Sequence, residues 1–382
     1  MTRTVAVEAS PFALALDAAW RTIRRTIPLM GDQRPEVGKP DLTYQRSTRH
    51  FWVEGFWSGQ LWLGYALTGE QLFFDAARSQ RRYFAERLLL PETHDHDLGF
   101  LYTLSAVADY KLTGDSTARE MGLAAAEALA ARFNPRGKFI RAWNEWSHDP
   151  LDNSGRIIID GLENMALLFW AAREANRPEL AEIACAHAET SVRYLVRPDG
   201  STYHTFVFDP ATGAPLRGET NQGFADESCW SRGQAWAIHG LASIYSYCGE
   251  PLFLDTAQRL ADYVLNQIDE HGVPLWDYCL TPDAPHYRDS SAAAITAAGL
   301  QLLADQFPQT SPQAEQYRSC AFHILTTLIS DYSTRDVPHA EGLLRHGVAH
   351  VPHGIIDTML PYGDYFYLEA LLRALGHRTF FW

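Results

Sequence analysis

"YALTGEQ" at 65–71, "YKLTGDS" at 110–116, "REANRPE" at 173–179 and "YSYCGEP" at 245–251 are four versions of one short turn. In each, a run with helix spacing stops at Gly or Asn, and a second run starts almost at once. Gly and Asn readily take the left-handed conformation that closes a helix C-terminus. Each stretch therefore reads as the corner of a helical hairpin. The units share little other sequence, but the recurrence points to stacked hairpins.

Working outward from these corners, apolar spacing and cap residues predict about twelve helices and little convincing strand. The spans are 11–27, 54–67, 70–87, 97–113, 116–132, 158–174, 177–195, 230–248, 251–268, 289–306, 312–331 and 363–375. The two members of a hairpin differ. "QLFFDAARSQRRYFAERL" (71–88) has a charged face, whereas "SSAAAITAAGLQLLA" (290–304) is apolar or small on nearly all sides. A helix with one apolar stripe lies on a surface, and one that is apolar all round is buried. The expected fold is all-α, an (α/α)6 barrel of six inner and six outer helices. It makes one domain of residues 1–382, with 1–10 as a flexible N-terminal segment. That reading overrides the two or three domains that length alone suggests.

Connections from inner to outer helices are a few residues long. Those leading back inward, 88–96, 133–157, 196–229, 269–288 and 332–362, are long. All of the long ones then lie at one end, over the N-termini of the inner helices. Long loops in compact domains are often functional, so a site is expected there.

The composition bounds what that site serves. With 46% hydrophobic and 20% charged residues, the chain fits an ordinary globular protein with a large core. A formal net charge of −14 argues against nucleic acid and anionic membranes as partners. Cys185, Cys229, Cys248, Cys279 and Cys320 are dispersed with no CxxC pair, which reads as reduced thiols. The N-terminus lacks the apolar core of a signal peptide, and no uncharged apolar run approaches ~18 residues. The expected location is cytoplasmic. There is no nucleotide-binding glycine loop and no GxSxG elbow.

The inner helices begin with "WVEGFW" (52–57), "HDHDLGF" (94–100), "IIIDGLEN" (157–164), "ESCWSRGQAW" (227–236), "RDSSAAA" (288–294) and "PYGDYFYLEA" (361–370). Asp97, Asp160, Asp289 and Asp364 stand where N-caps stand, and capping alone accounts for any one of them. Four carboxylates converging on one mouth ask for more. Trp52, Trp57, Trp143, Trp146, Trp230, Trp236 and Trp276 lie at the same end; they are either packing or flat walls for a sugar ring. Arg232 is either a surface charge or a fork for a carboxylate, and its place on an inner helix favours the fork. His94, His96, His148, His204, His286, His346, His350 and His353 crowd the loops. "HDHD" (94–97) invites a metal, but no HExxH, Cys set or second consistent pair accompanies it. No metal is expected.

Taken in order, "HDLGF" (96–100), "IIIDGLENMALLFWA" (157–171), "WSRGQAW" (230–236), "DSSAAAI" (289–295) and "YGDYFYLEALL" (362–372) resemble the unsaturated glucuronyl hydrolases, glycoside hydrolase family 88. The similarity runs from about residue 50 to the C-terminus. Each motif is modest; the ordered set is specific. The resemblance implies the same barrel and a substrate class: short oligosaccharides left by polysaccharide lyases, with a 4,5-unsaturated uronic acid at the non-reducing end. It implies hydration of the C4=C5 vinyl ether and release of the sugar from the resulting hemiketal, with neither metal nor organic cofactor. It implies Asp160 as general acid/base and Asp97 as the second essential acid. Trp52, Phe56, Trp230 and Trp236 would line the sugar site, with His204, Gln222, Arg232 and His350 as polar contacts. The residue before the family's histidine is usually Tyr and here is Ala349, so contacts at that edge differ.

Two other readings use the same barrel. Unsaturated rhamnogalacturonyl hydrolases tend to carry RGNGW where this chain has RGQAW, so Gln234 and Ala235 favour the glucuronyl type. A sugar 2-epimerase needs a histidine acid/base pair at the mouth, for which His204 and His350 are the candidates; fold alone does not separate these chemistries.

Overall fold

A computed structural model describes residues 10–145 and 153–382. The expectations for residues 1–9, Trp146 and His148 lie outside the described residues. In chain order the helices begin with α1 (Pro11–Met30), α2 (Glu54–Thr68), α3 (Gln71–Ser79) and α4 (Arg81–Leu88). Next come α5 (Leu98–Tyr102), α6 (Ala108–Thr113) and α7 (Ser116–Ala130). Then follow α8 (Gly161–Glu174), α9 (Pro178–Leu195), α10 (Ser231–Cys248) and α11 (Pro251–Gln267). The last are α12 (Ser290–Ala304), α13 (Pro312–Thr327) and α14 (Pro361–Ala374). A π turn over Thr103–Val107 joins α5 to α6 as one rod, and Gln80 breaks the expected single span into α3 and α4.

The left-handed corners are where the sequence placed them. Gly69, Gly114 and Gly249 have φ of 67°, 71° and 70°, and Asn176 has φ of 53°. Each corner folds a second helix back onto the first: α3 on α2, α7 on α5, α9 on α8 and α11 on α10. Likewise α13 packs on α12, and α1 on α14. The first members touch one another in sequence, α2–α5–α8–α10–α12–α14, and α14 also contacts α2. The burial follows the composition. Every residue of α8 from Gly161 to Ala172 is buried, as is every residue of α12 from Ser290 to Gln301. No helix among the described residues is long and apolar enough to cross a membrane.

One close approach positions the site. A Cβ on Gly99 would fall 2.4 Å from the Cα of Asn164, and Asn164 Oδ1 accepts the Phe100 N–H at 2.7 Å. With no side chain between them, α5 lies backbone-to-backbone on α8. The residues just ahead of both helices are thereby brought together.

The helix expected over 158–174 starts later. Arg156–Ile158 is a strand, paired antiparallel with Thr205–Phe208, which pairs in turn with Pro215–Glu219. β-branched Ile suits a buried strand, and a short apolar run has no period that separates strand from helix. This small sheet stitches the 133–157 connection to the 196–229 connection. Further two-stranded pairs join Pro35–Gly38 to Tyr44–Arg46 and Phe133–Asn134 to Phe139–Ile140.

Candidate active site

Asp160 is the last residue before α8, and Asp97 the last before α5. Neither side chain caps its helix. The other two acids of the mouth are spent on structure. Asp289 caps α12 by accepting the Ser291 N–H at 2.9 Å and pairs with Arg232 at 3.0 Å. Asp364 accepts from Tyr44 Oη at 2.7 Å and from the Leu344 N–H at 3.0 Å. Of four converging carboxylates, two therefore remain available for chemistry.

Between those two stands His96. Its Nε2 hydrogen-bonds Asp160 Oδ1 at 3.2 Å and lies 3.3 Å from Asp97 Oδ1. Burial opposes a charge on the ring, but Asp97 and Asp160 outweigh it and raise the imidazole to about 9. Burial pushes the Asp97 carboxyl well above the usual carboxylate range, against the pull of His96. His96 and Asp97 thus hold protons tightly. The sequence names His96 as a loop histidine and in two motifs but gives it no role, so its bridging position comes from the fold. In the fold, Asp95 Oδ1 accepts the Asp97 N–H at 3.0 Å, and His94 Nε2 bonds the Leu88 carbonyl at 3.1 Å.

His204 closes the opposite side. Its Nδ1 accepts backbone N–H groups from Asn221 at 2.9 Å and Gln222 at 3.2 Å, so its proton is on Nε2. That Nε2–H is buried with no hydrogen-bond partner among the described residues, on a ring that senses Asp160. Burial drives the ring down to about 3, so it stays neutral. The His204 ring packs 4.6 Å from Trp230. Arg232 lies 4.4 Å from Trp230 and 5.1 Å from Tyr362. The fork expected of Arg232 is taken up inside the protein, by Asp289 and by the carbonyls of Val348 and Ala349. Gln222 Nε2 donates to the same Ala349 carbonyl at 3.1 Å. Next to it, His350 stacks on His353 at 3.9 Å; burial lowers His350 to about 4, and its Nδ1 is buried with no hydrogen-bond partner among the described residues.

The expected aromatic wall has two layers. Trp52 is half-buried and stacks on Tyr362 at 4.9 Å. Phe56 and Trp236 are fully enclosed beneath, packed on each other and on Phe100, Tyr362 and Phe366. They form the floor that carries the outer rings rather than an open face. Tyr362, which the sequence reading did not single out, ties the layers together.

Two buried carboxyls bridged by an imidazole lie beside a wall of aromatic rings, an arrangement suited to acid–base chemistry on a carbohydrate, as in a glycoside hydrolase. The chain belongs to Glycosyl Hydrolase Family 88, whose model matches residues 23–325. It is 43% identical to the unsaturated glucuronyl hydrolase of Bacillus sp. (strain GL1), over 94% of this chain and 95% of that protein. It is 35% identical to the unsaturated chondroitin disaccharide hydrolase of Streptococcus pyogenes serotype M1, over 96% of this chain and 92% of that one. The crystal structure of unsaturated glucuronyl hydrolase from Bacillus sp. GL1, responsible for the degradation of glycosaminoglycan, superposes with a TM-score of 0.91 at 42% identity, covering 95% of this chain and 96% of that one.

Proposed function

We propose that this enzyme removes the 4,5-unsaturated uronic acid from the non-reducing end of lyase-generated oligosaccharides derived from glycosaminoglycans. The work is done by one catalytic domain, a closed (α/α)6 barrel. The carrying observation is the Asp160–His96–Asp97 cluster at the loop-bearing mouth. Asp160 gives a proton to C4, and the positive charge left at C5 is shared with the ring oxygen. Water adds at C5 and returns its proton to Asp160. The hemiketal so formed opens to a ketone, which turns the C1 acetal into a hemiacetal; that collapses and frees the remaining sugar. One group thus gives and takes a proton in turn, which suits a buried acid near a second one. Asp97 tunes it. Trp52 and Trp230, on the floor of Phe56 and Trp236, hold the sugar face. His204 offers its free Nε2–H, Gln222 and His350 line the edge next to Ala349, and Arg232 holds that edge in place. The route uses neither metal nor organic cofactor.

The epimerase alternative asks its histidines to trade protons near neutral pH, and burial holds His204 and His350 at about 3 and about 4. The odd number of cysteines, with no CxxC pair along the chain, supports a reducing location, the cytoplasm. The test is a panel of lyase-generated disaccharides from glycosaminoglycans and from pectin, with defined sulfation, followed by loss of the unsaturated-uronate absorbance. Turnover of the glycosaminoglycan members is expected. Turnover of the rhamnogalacturonan members alone, or of none, would sink the reading.

A further inference from the structure

We propose that His96 is the positioning residue of the acid pair: it bridges Asp97 and Asp160, carries the proton they share, and leaves Asp160 Oδ2 as the oxygen that meets the sugar. The proposal rests on the reading of Asp160 as the acid/base.

The geometry allows little else. Nδ1 of His96 lies 3.1 Å from the Ala142 carbonyl, which can only accept, so Nδ1 carries a proton permanently. Nε2 is the nitrogen that changes state. It sits 3.2 Å from Asp160 Oδ1 and 3.3 Å from Asp97 Oδ1, and Asp97 Oδ1 has no hydrogen-bond partner of its own among the described residues. The ring is buried and cannot swing toward water; it packs edge-on to Trp143 at 6.5 Å. With a proton on Nε2, it donates to the acid pair. Without one, it accepts from whichever carboxyl is protonated. Since Oδ1 of Asp160 is held by His96, the substrate faces Oδ2.

The reaction gives this bridge a task. Between protonating C4 and accepting a proton from the attacking water, Asp160 is a carboxylate in a buried site. A proton on Nε2 stabilises that interval without entering the balance of the reaction, since what Asp160 loses to carbon it regains from water.

The groups facing the imidazole are few. Asp95 and Asp97 come from its own segment, and Asp160 from the start of α8. His187 on α9 and His204 beside the sheet also sense it, and burial holds both at about 3, so they bring no charge near neutral pH. Arg132 faces Asp95 and Asp97, and Arg87 faces Asp97.

His96→Gln keeps a neutral donor near Nε2 but no titrating proton. The expected result is a fall in kcat of about 10²-fold with KM near the wild-type value. The wild-type kcat should also decline as pH rises through about 9, and that alkaline limb should vanish in the variant. Wild-type kcat in His96→Gln, or a lowered kcat with the limb in place, would overturn the proposal. If the variant does not fold, labelled-histidine NMR of the unsubstituted enzyme decides. Its His96 ring, identified as the imidazolium that moves in Asp97→Asn, should stay doubly protonated at pH 7; a neutral ring there refutes the bridge. The NMR readout needs no turnover, so it stays separate from the disaccharide panel that tests the function.

Discussion

His96 and His239 each sit between two carboxylates, in different surroundings. His96 joins Asp97 and Asp160 at the mouth. Deeper in, His239 on α10 bonds Glu163 through Nδ1, at 2.9 Å and 3.0 Å to its two oxygens, and Glu369 through Nε2 at 3.0 Å. Glu369 is held again by Arg373 at 2.7 Å and by Trp382 Nε1 at 2.9 Å. In the deep cluster, Glu163, His239 and Glu369 are 1% exposed or less and fully bonded. At the mouth, Asp97 Oδ1, His204 Nε2 and His350 Nδ1 are buried with no hydrogen-bond partner among the described residues. A buried polar group left unbonded costs about 1–3 kcal/mol. A fold that carries several such groups in one place leaves bonds for a ligand to make. A histidine between two carboxyls thus reads as structure where every bond is closed and as a candidate site where some are open. Asp160 and Glu163 stand three residues apart around the start of α8, so one helix serves both clusters.

The sharpest way to break this contrast is to neutralise one acid in each cluster. Asp160→Asn should lower turnover of the unsaturated disaccharide by about 10³-fold or more, with binding by calorimetry largely intact. Near-normal activity in that variant would remove Asp160 from its role. The counterpart is His239→Gln. Removing the charge between two buried glutamates should cost about 3–5 kcal/mol in denaturant unfolding, while kcat per folded molecule stays at the wild-type value. A variant of His239 that folds normally but does not turn over would erase the distinction between the clusters.

The two regions were not equally legible. The hairpin corners carry their own signal, because a left-handed residue between two helical runs needs Gly or Asn, and Gly69, Gly114, Asn176 and Gly249 all have positive φ. Asp160 and Asp97 stood out as acids at the starts of apolar runs. Glu163 did not, since an acid in the first turn of a helix is ordinary. Its partner His239 lies 76 residues along the chain, and His239's other partner, Glu369, lies 130 residues beyond that, so no local pattern joins them. His96 was in view, but its meaning depends on α5 touching α8 at Gly99 and Asn164, a contact that only the fold supplies. The Arg156–Ile158 strand was missed because its partners come from another long connection.

A smaller effect, on stability against pH, is shared by the two clusters. His239 is raised by Glu163 and Glu369, against burial, to about 9. Its contribution is complete below its ordinary value of 6.5 and is lost as pH rises through about 9. Glu369, lowered to about 2 by Arg373 and His239 against burial, contributes fully above its ordinary 4.5 and loses that as pH falls toward 2. His204 and His187, kept neutral by burial at about 3, permit stability above 6.5 that is lost as pH falls below it. The melting temperature should therefore fall on both sides of slightly acid pH. The alkaline fall should be shallower in His239→Gln but not absent, because His96 supplies the rest. A melting curve in that variant identical in slope to the wild type between pH 7 and 9 would assign the alkaline loss elsewhere.

The least effect is expected where the deep cluster meets the aromatic column. Trp382 stacks on Phe366 at 5.9 Å and 10°, and Phe366 packs on Trp236, which floors the aromatic wall of the mouth. Trp382→Phe keeps a ring but deletes the N–H that reaches Glu369 Oε2. Glu369 retains Arg373 and His239, so the loss should be one charge-assisted hydrogen bond, about 1.5–3 kcal/mol in unfolding free energy. Turnover should hold, because Phe100 and Phe366 still support Trp236 from below. Suppose instead that kcat falls while stability changes little. The stacked rings would then transmit position from the deep cluster to the floor of the mouth, and the two clusters would be one device rather than two.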